Sequence, residues 1–122
     1  MIIRNATSNK IIGYNAKLCT SVFSKLAGLM LSNKVERALI FKFGKEQKVS
    51  LHMLFVFCSI DVLFLDKNKI VVDKKENFKP FSFYISRKKA MYAVELPNGT
   101  LKKTNTKIGD KVEIRNNTKK IN

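Results

Sequence analysis

Acidic residues are scarce in this chain. Nine Asp and Glu face 24 Lys and Arg over 122 residues, and no acid occurs in the first 35 positions, which leaves a formal charge of +15. Such a surface attracts polyanions. Nucleic acid, anionic lipid and acidic proteins are all candidate partners, with binding that weakens steeply as salt rises. Coding bias explains part of the excess, since Lys, Asn, Ile and Phe are abundant and share AT-rich codons. Glutamate shares them too and occurs only five times, so the shortage of acids outlasts that explanation.

Other absences narrow the chemistry. The two cysteines, Cys19 and Cys58, form no CxxC or Cys/His spacing, which argues against a zinc pattern or a disulfide framework and leaves free, largely buried thiols as the expectation. Five scattered glycines make no phosphate-cradling loop, and neither HExxH nor GxSxG occurs, so no recognised catalytic motif points to an enzyme. Uninterrupted apolar runs stay below the roughly eighteen residues of a membrane span, because His52, Ser59 and Asp61 break the richest one. The N-terminus, MIIRNATSNK, lacks an apolar stretch followed by a small-residue cleavage site, so a cytoplasmic protein is expected.

What is present suffices for a core. A hydrophobic content of 45%, with nine Phe, predicts one domain over residues 1–115 and a polar, frayed tail at 116–122. MIIRNA and KIIGYNA read as two short strands joined by a turn at Thr7, Ser8 and Asn9. Beyond Thr20 and Ser21, which suit N-caps, Val22, Phe23, Leu26, Leu29 and Met30 recur at helical spacing with Gly28 near the end. That spacing predicts one amphipathic helix of about ten residues. ALIFKF, residues 38–43, returns to strand character. IDVLFLD, then Lys67, Asn68 and Lys69, then IVVD predict a hairpin with Asn68 in the left-handed conformation. Residues 77–86, with Pro80 and Phe78, Phe81 and Phe83, read as an irregular connection anchored by aromatics. MYAVEL is a further strand stopped by Pro97, Asn98 and Gly99. TLKKTN is a helical turn or a short strand, and Ile108, Gly109 and Asp110 lead into a last strand, KVEIR. The sum is a mainly β (α+β) single domain: a small β-barrel or curled sheet of seven or eight short strands with one amphipathic helix near the N-terminus.

The run VSLHMLFVFCSIDVLFLD, residues 49–66, places the only histidine, His52, and the carboxylate Asp61 in an apolar segment. Buried ionisable groups need hydrogen bonds or partners. With residue 52 opposite 61 in a hairpin, the two side chains share a face with Cβ atoms roughly 5 Å apart, and the carboxylate orients the imidazole and favours its protonated form, as an acid/base pair requires. A slip of one residue separates them. The plainer reading is structural, with Asp61 accepting backbone N–H bonds. Metal binding needs a third ligand, for which Glu95, an acid in the apolar strand YAVELP, is the best available. Cys58 reads as an inert core thiol because burial would raise its pKa.

Four short motifs carry a family resemblance: GLM at 28–30, LHM at 51–53, IDVLFLD at 60–66, and VELPNGT to IGDKVEI across 94–114. In their order and spacing over residues 1–115 the chain resembles the archaeal and bacterial proteins of domain of unknown function family 192. The resemblance marks Gly28, Leu29, Met30, His52, Met53, Asp61, Glu95, Gly99, Gly109 and Asp110. It is strongest with archaeal-type members, which have His where bacterial members often carry Trp. Ser59 stands where the family usually has proline. The resemblance implies a mainly β, barrel-like domain with a flanking helix, and assigns no reaction.

Three functional readings follow from these residues. The leading one is a small binding module whose basic face contacts nucleic acid or another polyanion non-specifically, with no cofactor or metal. The others are an enzyme or metal-binding protein with a cleft site built from His52, Asp61 and Glu95, and a protein-partner or assembly module anchored by phenylalanines of the 78–84 segment.

Overall fold

Turn residues and alternating side chains divide the computed structural model, described over residues 1–19, 38–52 and 58–116, into ten strands and one helical turn. β1 (Ile2–Asn5) and β2 (Lys10–Gly13) form the expected N-terminal hairpin. β10 (Val112–Arg115) joins the free edge of β1 to complete a three-stranded antiparallel sheet. The principal sheet has five strands in the order β3-β4-β9-β6-β7. In it β3 (Lys17–Cys19) runs parallel to β4 (Leu39–Gln47), while β9 (Ala90–Pro97), β6 (Ile60–Leu65) and β7 (Val71–Phe78) are antiparallel to their neighbours. β5 (Ser50–His52) and β8 (Phe83–Ile85) make a two-stranded ribbon, and α1 (Thr100–Lys103) is one helical turn between β9 and β10.

β6 is buried along its whole length because its alternate residues serve two cores. On face one, Leu63 and Leu65 pack with Ile3, Ile12, Val94, Leu96 and Val112, so the three-stranded sheet lies over that side. On face two, Val62 and Phe64 pack with Leu39, Phe41, Phe78 and Ala93, and Leu51 and Tyr84 bring the ribbon against that side. A strand covered on both faces reads as a continuous apolar run, which accounts for IDVLFL.

Of the expected barrel or curled sheet, the barrel is corrected to open layers. Among the described residues the sheets do not close, and β3 and β7 stand at the edges of the five-stranded one, with an isolated bridge from Ile70 to Lys111 beside the hairpin turn. Each apolar face is covered by another layer, so burial is achieved without ring closure. The strand count is also corrected: β3 and β8, three residues each, are too short for a periodicity signal. The 77–86 segment is therefore only partly irregular, and Pro80 lies between β7 and β8, where its missing N–H costs no ladder bond.

The β6–β7 hairpin forms as expected, but Lys69 and not Asn68 takes the left-handed conformation, at φ 62°. The Asp66 carboxylate decides this by accepting the Asn68 and Ile70 amides at 2.8 and 3.0 Å. Gly99 and Gly109 are left-handed at φ 91° and 98°, as their turns demand. The expected helix near the N-terminus, the motif residues Gly28, Leu29, Met30 and Met53, and most of the tail lie outside the described residues. Among the described residues, no helix is long and apolar enough to cross a membrane.

Candidate functional site

β5 pairs with β8, so His52 stands opposite Phe83. The expected pairing of residue 52 with 61 does not occur: Asp61, on β6, stands opposite Leu96 of β9. In the next row Val62 stands opposite Glu95. Successive residues of a strand point to opposite faces, so Asp61 lies on face one and Glu95 on face two. The sheet itself separates the two carboxyls. Among the described residues no three His, Cys, Asp or Glu side chains converge on a metal position.

Asp61 is a tie. Fully buried, it accepts the Asn77 amide at 3.0 Å and the Leu101 amide at 2.9 Å, fastening the end of β7 and the start of α1 to the sheet. The N-cap of α1, Gly99, has no side chain to offer, and Asp61 supplies the acceptor from a distant strand. The other aspartates act alike. Asp66 holds the hairpin turn, and Asp110 accepts the Lys107 amide and the Asn5 side-chain amide, both at 2.9 Å. Asn5, also buried, accepts the Thr7 and Ser8 amides and donates to Thr106, binding the first hairpin to the last turn.

Asp73 is the most densely bonded. It accepts the Lys74 and Arg87 amides at 2.8 Å each, the Tyr84 hydroxyl at 2.7 Å, and the Arg87 guanidinium at 2.7 and 3.0 Å. Burial alone would raise its pKa, but the Arg87 guanidinium and amide, helped by Tyr84 and the Lys74 amide, hold the carboxyl below its usual range. Burial, reinforced by the bond to Asp73, pushes the Tyr84 hydroxyl up. The acid that closes IVVD, preceded by three β-branched residues, was the available signal for this cluster. Nothing local marks Arg87 as its partner.

Glu95 differs from all of these. It has no exposed surface, neither side-chain oxygen has a hydrogen-bond partner among the described residues, and burial pushes its pKa to about 8. Its row neighbours are Leu39 on β4 and Val62 on β6. Desolvation of the charged form therefore favours the neutral carboxyl at pH 7.

With the aspartates and Glu95 turned inward or into turns, cations dominate the outside. At one end of face one Tyr92 is flanked by Lys42 across β4 and Leu65 across β6. The Lys69 ammonium lies 5.4 Å from the centre of the Tyr92 ring. Leu18, Ile40, Lys42, Lys69, Tyr92 and Ile114 line a groove of about 190 Å³, which shares Lys69 and Ile114 with a depression of about 270 Å³ along Lys111, Glu113 and Arg115. Lys42, Lys69, Lys111 and Arg115 thus line the two depressions beside one carboxylate, Glu113, which already accepts Arg4 at 3.0 Å and Arg115 at 3.2 Å. Sequence reasoning singled out none of the groove residues. On the opposite side the aromatic segment divides: Phe78 enters the core against Tyr84, whereas Phe81 and Phe83 are exposed.

Comparison with known proteins adds a family. The model of DUF192, described as "Uncharacterized ACR", matches residues 3–114. A UPF0127 protein of Thermococcus sibiricus is 37% identical over 111 residues, covering 89% of this chain and 71% of that protein. A UPF0127 protein of Pyrococcus abyssi is 36% identical over 115 residues, covering 93% and 96%. Among solved structures, a candidate transcription regulator from Sinorhizobium meliloti is similar at a TM-score of 0.80 and 24% identity, over 92% of this chain and 89% of that one. A protein of unknown function from Novosphingobium aromaticivorans is similar at 0.82 and 19%, over 93% and 83%. Both likenesses show a shared fold.

Proposed function

The chain belongs to the DUF192 family, and from that premise we propose that it is a small cytoplasmic binding module whose basic surface contacts an anionic macromolecule, in the first place nucleic acid. The observation that supports this is the partition of charge. All four aspartates accept backbone amides, and Asp61, Asp73 and Glu95 are buried, so few carboxylates stand on the surface among the exposed lysines. The polar residues of the central run serve structure in this reading, and no cofactor takes part. Binding is driven by release of counterions from the phosphates that Lys and Arg neutralise.

Fluorescence anisotropy with labelled single-stranded and duplex oligonucleotides tests the proposal. With four phosphate contacts, the affinity should fall about 50-fold for the single strand and about 150-fold for the duplex between about 50 and about 200 mM salt. No anisotropy change with either probe at the lower salt would sink the reading. A protein-partner role draws on a separate observation, the exposure of Phe81, Phe83 and Ile85. A strict monomer in sedimentation, with nothing retained in a pull-down, would count against it.

A further inference from the structure

We infer that the groove beside Tyr92 docks a single-stranded nucleic-acid segment, one base entering against Tyr92 and the adjoining phosphates resting on Lys42, Lys69, Lys111 and Arg115. The inference rests on the basic-surface reading and deepens it to one site and one ligand class. The groove is amphipathic in the required way: Leu18, Ile40, Tyr92 and Ile114 supply apolar surface, and the cations stand at its rim and along the adjoining depression. A splayed single strand offers both partners at once, a flat apolar base and phosphates on either side. A duplex keeps its bases stacked inside and would leave the apolar surface unused.

Lys69 is the pivot. A left-handed backbone is uncommon for a residue with a long side chain, and sites that hold one against its preference cluster where function needs it. Here the conformation is fixed from both sides: the Lys69 amide donates to the Asp66 carbonyl at 2.9 Å, and the Lys69 carbonyl accepts the Val112 amide at 2.9 Å. The consequence is an ammonium held over the Tyr92 ring, within the lining of both depressions. Lys111 is aimed at the same turn, its ammonium donating to the Asn68 carbonyl at 2.6 Å. Tyr92 is nine-tenths buried in the face-one core, so a base entering the groove would meet the exposed margin of its ring, and the ammonium beside it would move to a phosphate.

The test uses anisotropy with fluorescein-labelled oligo-dT, the same length as a duplex, and phosphatidylserine vesicles. Two variants probe the groove without disturbing the core: Lys69→Gly, which suits the left-handed backbone, and Leu18→Glu, which places an acid on an exposed lining residue. Lys89→Ala, outside the groove lining, controls for charge, and a thermal melt verifies folding of each. The single strand should bind more tightly than the duplex, and each groove variant should weaken it about fivefold or more, against less than about twofold for Lys89→Ala. Wild-type-like, salt-sensitive binding by both groove variants would overturn the groove and leave the basic-surface reading standing. Absence of binding by the unaltered protein to either oligonucleotide would overturn both. Preference for the vesicles over oligo-dT at equal phosphate would overturn the groove in favour of a membrane surface.

Discussion

Asp61 and Glu95 sit one row apart on adjacent strands of the same sheet, and both are buried. On face one, two backbone amides are aimed at Asp61. On face two, Leu39 and Val62 flank Glu95, and no donor among the described residues reaches it. Face one ends in a cation-rimmed groove, while face two carries both the densely bonded Asp73 and the orphaned Glu95, with exposed phenylalanines on the ribbon side. Burial of an acid is therefore no signature of a site by itself. What matters is whether the backbone has been arranged to meet it, as it has at Asp61 on face one and at Asp73 on face two.

The sharpest break in this comparison is pH. The folded Glu95 keeps its proton up to about pH 8, whereas the unfolded one releases it near 4.5, so between these values the native state holds the extra proton and stability falls as pH rises. The full span is worth up to about 5 kcal/mol. Urea midpoints across this range should drop for the unaltered protein and stay flatter for Glu95→Gln, and identical profiles would mean that Glu95 finds a partner. Next in size, Asp61→Ala should cost about 3 kcal/mol, because the Leu101 and Asn77 amides lose their acceptor. A fully stable variant in the same denaturation experiment would return Asp61 to the candidates for a functional role.

A smaller loss is expected for Arg87→Ala, since Tyr84 and two amides stay on Asp73. Its mark is the pH of the effect: the depressed Asp73 pKa contributes stability above the ordinary carboxylate value of 3.8 that disappears as pH falls, so acid unfolding should begin at higher pH in the variant. Least of all, Lys69→Gly should raise stability by about 1 kcal/mol by relieving the left-handed backbone, even as it weakens oligonucleotide binding. A thermal melt and a binding curve on one preparation would show the two moving in opposite directions.

Much of the fold was legible where the signal was local. The two hairpins, the strand at MYAVEL and the turns at Gly99 and Gly109 follow from alternation and turn residues within a few positions. The ribbon was not, because β5 finds its partner more than thirty residues on, in a three-residue strand beyond β6, β7 and Pro80. That pairing displaced His52 from Asp61. Parity was equally out of reach: whether Asp61 and Glu95 share a face depends on the β6–β9 register, which no single strand encodes. The reading of Asp61 as an acceptor for backbone amides did follow from its burial, while the choice of Lys69 over Asn68 depended on which amides Asp66 accepts. The groove assembles residues from β3, β4, β9, β10 and the hairpin turn, each unremarkable alone.

If the buried acids hold the fold together and the face-one groove is left to bind a polyanion, an amide chemical-shift titration of the isotope-labelled protein with oligo-dT at low salt should register it. Shifts should concentrate at Leu18, Lys42, Lys69, Tyr92, Lys111 and Ile114, with the ribbon at Phe83 and Ile85 unmoved. Shifts centred on that ribbon, or none at any oligonucleotide concentration, would contradict it.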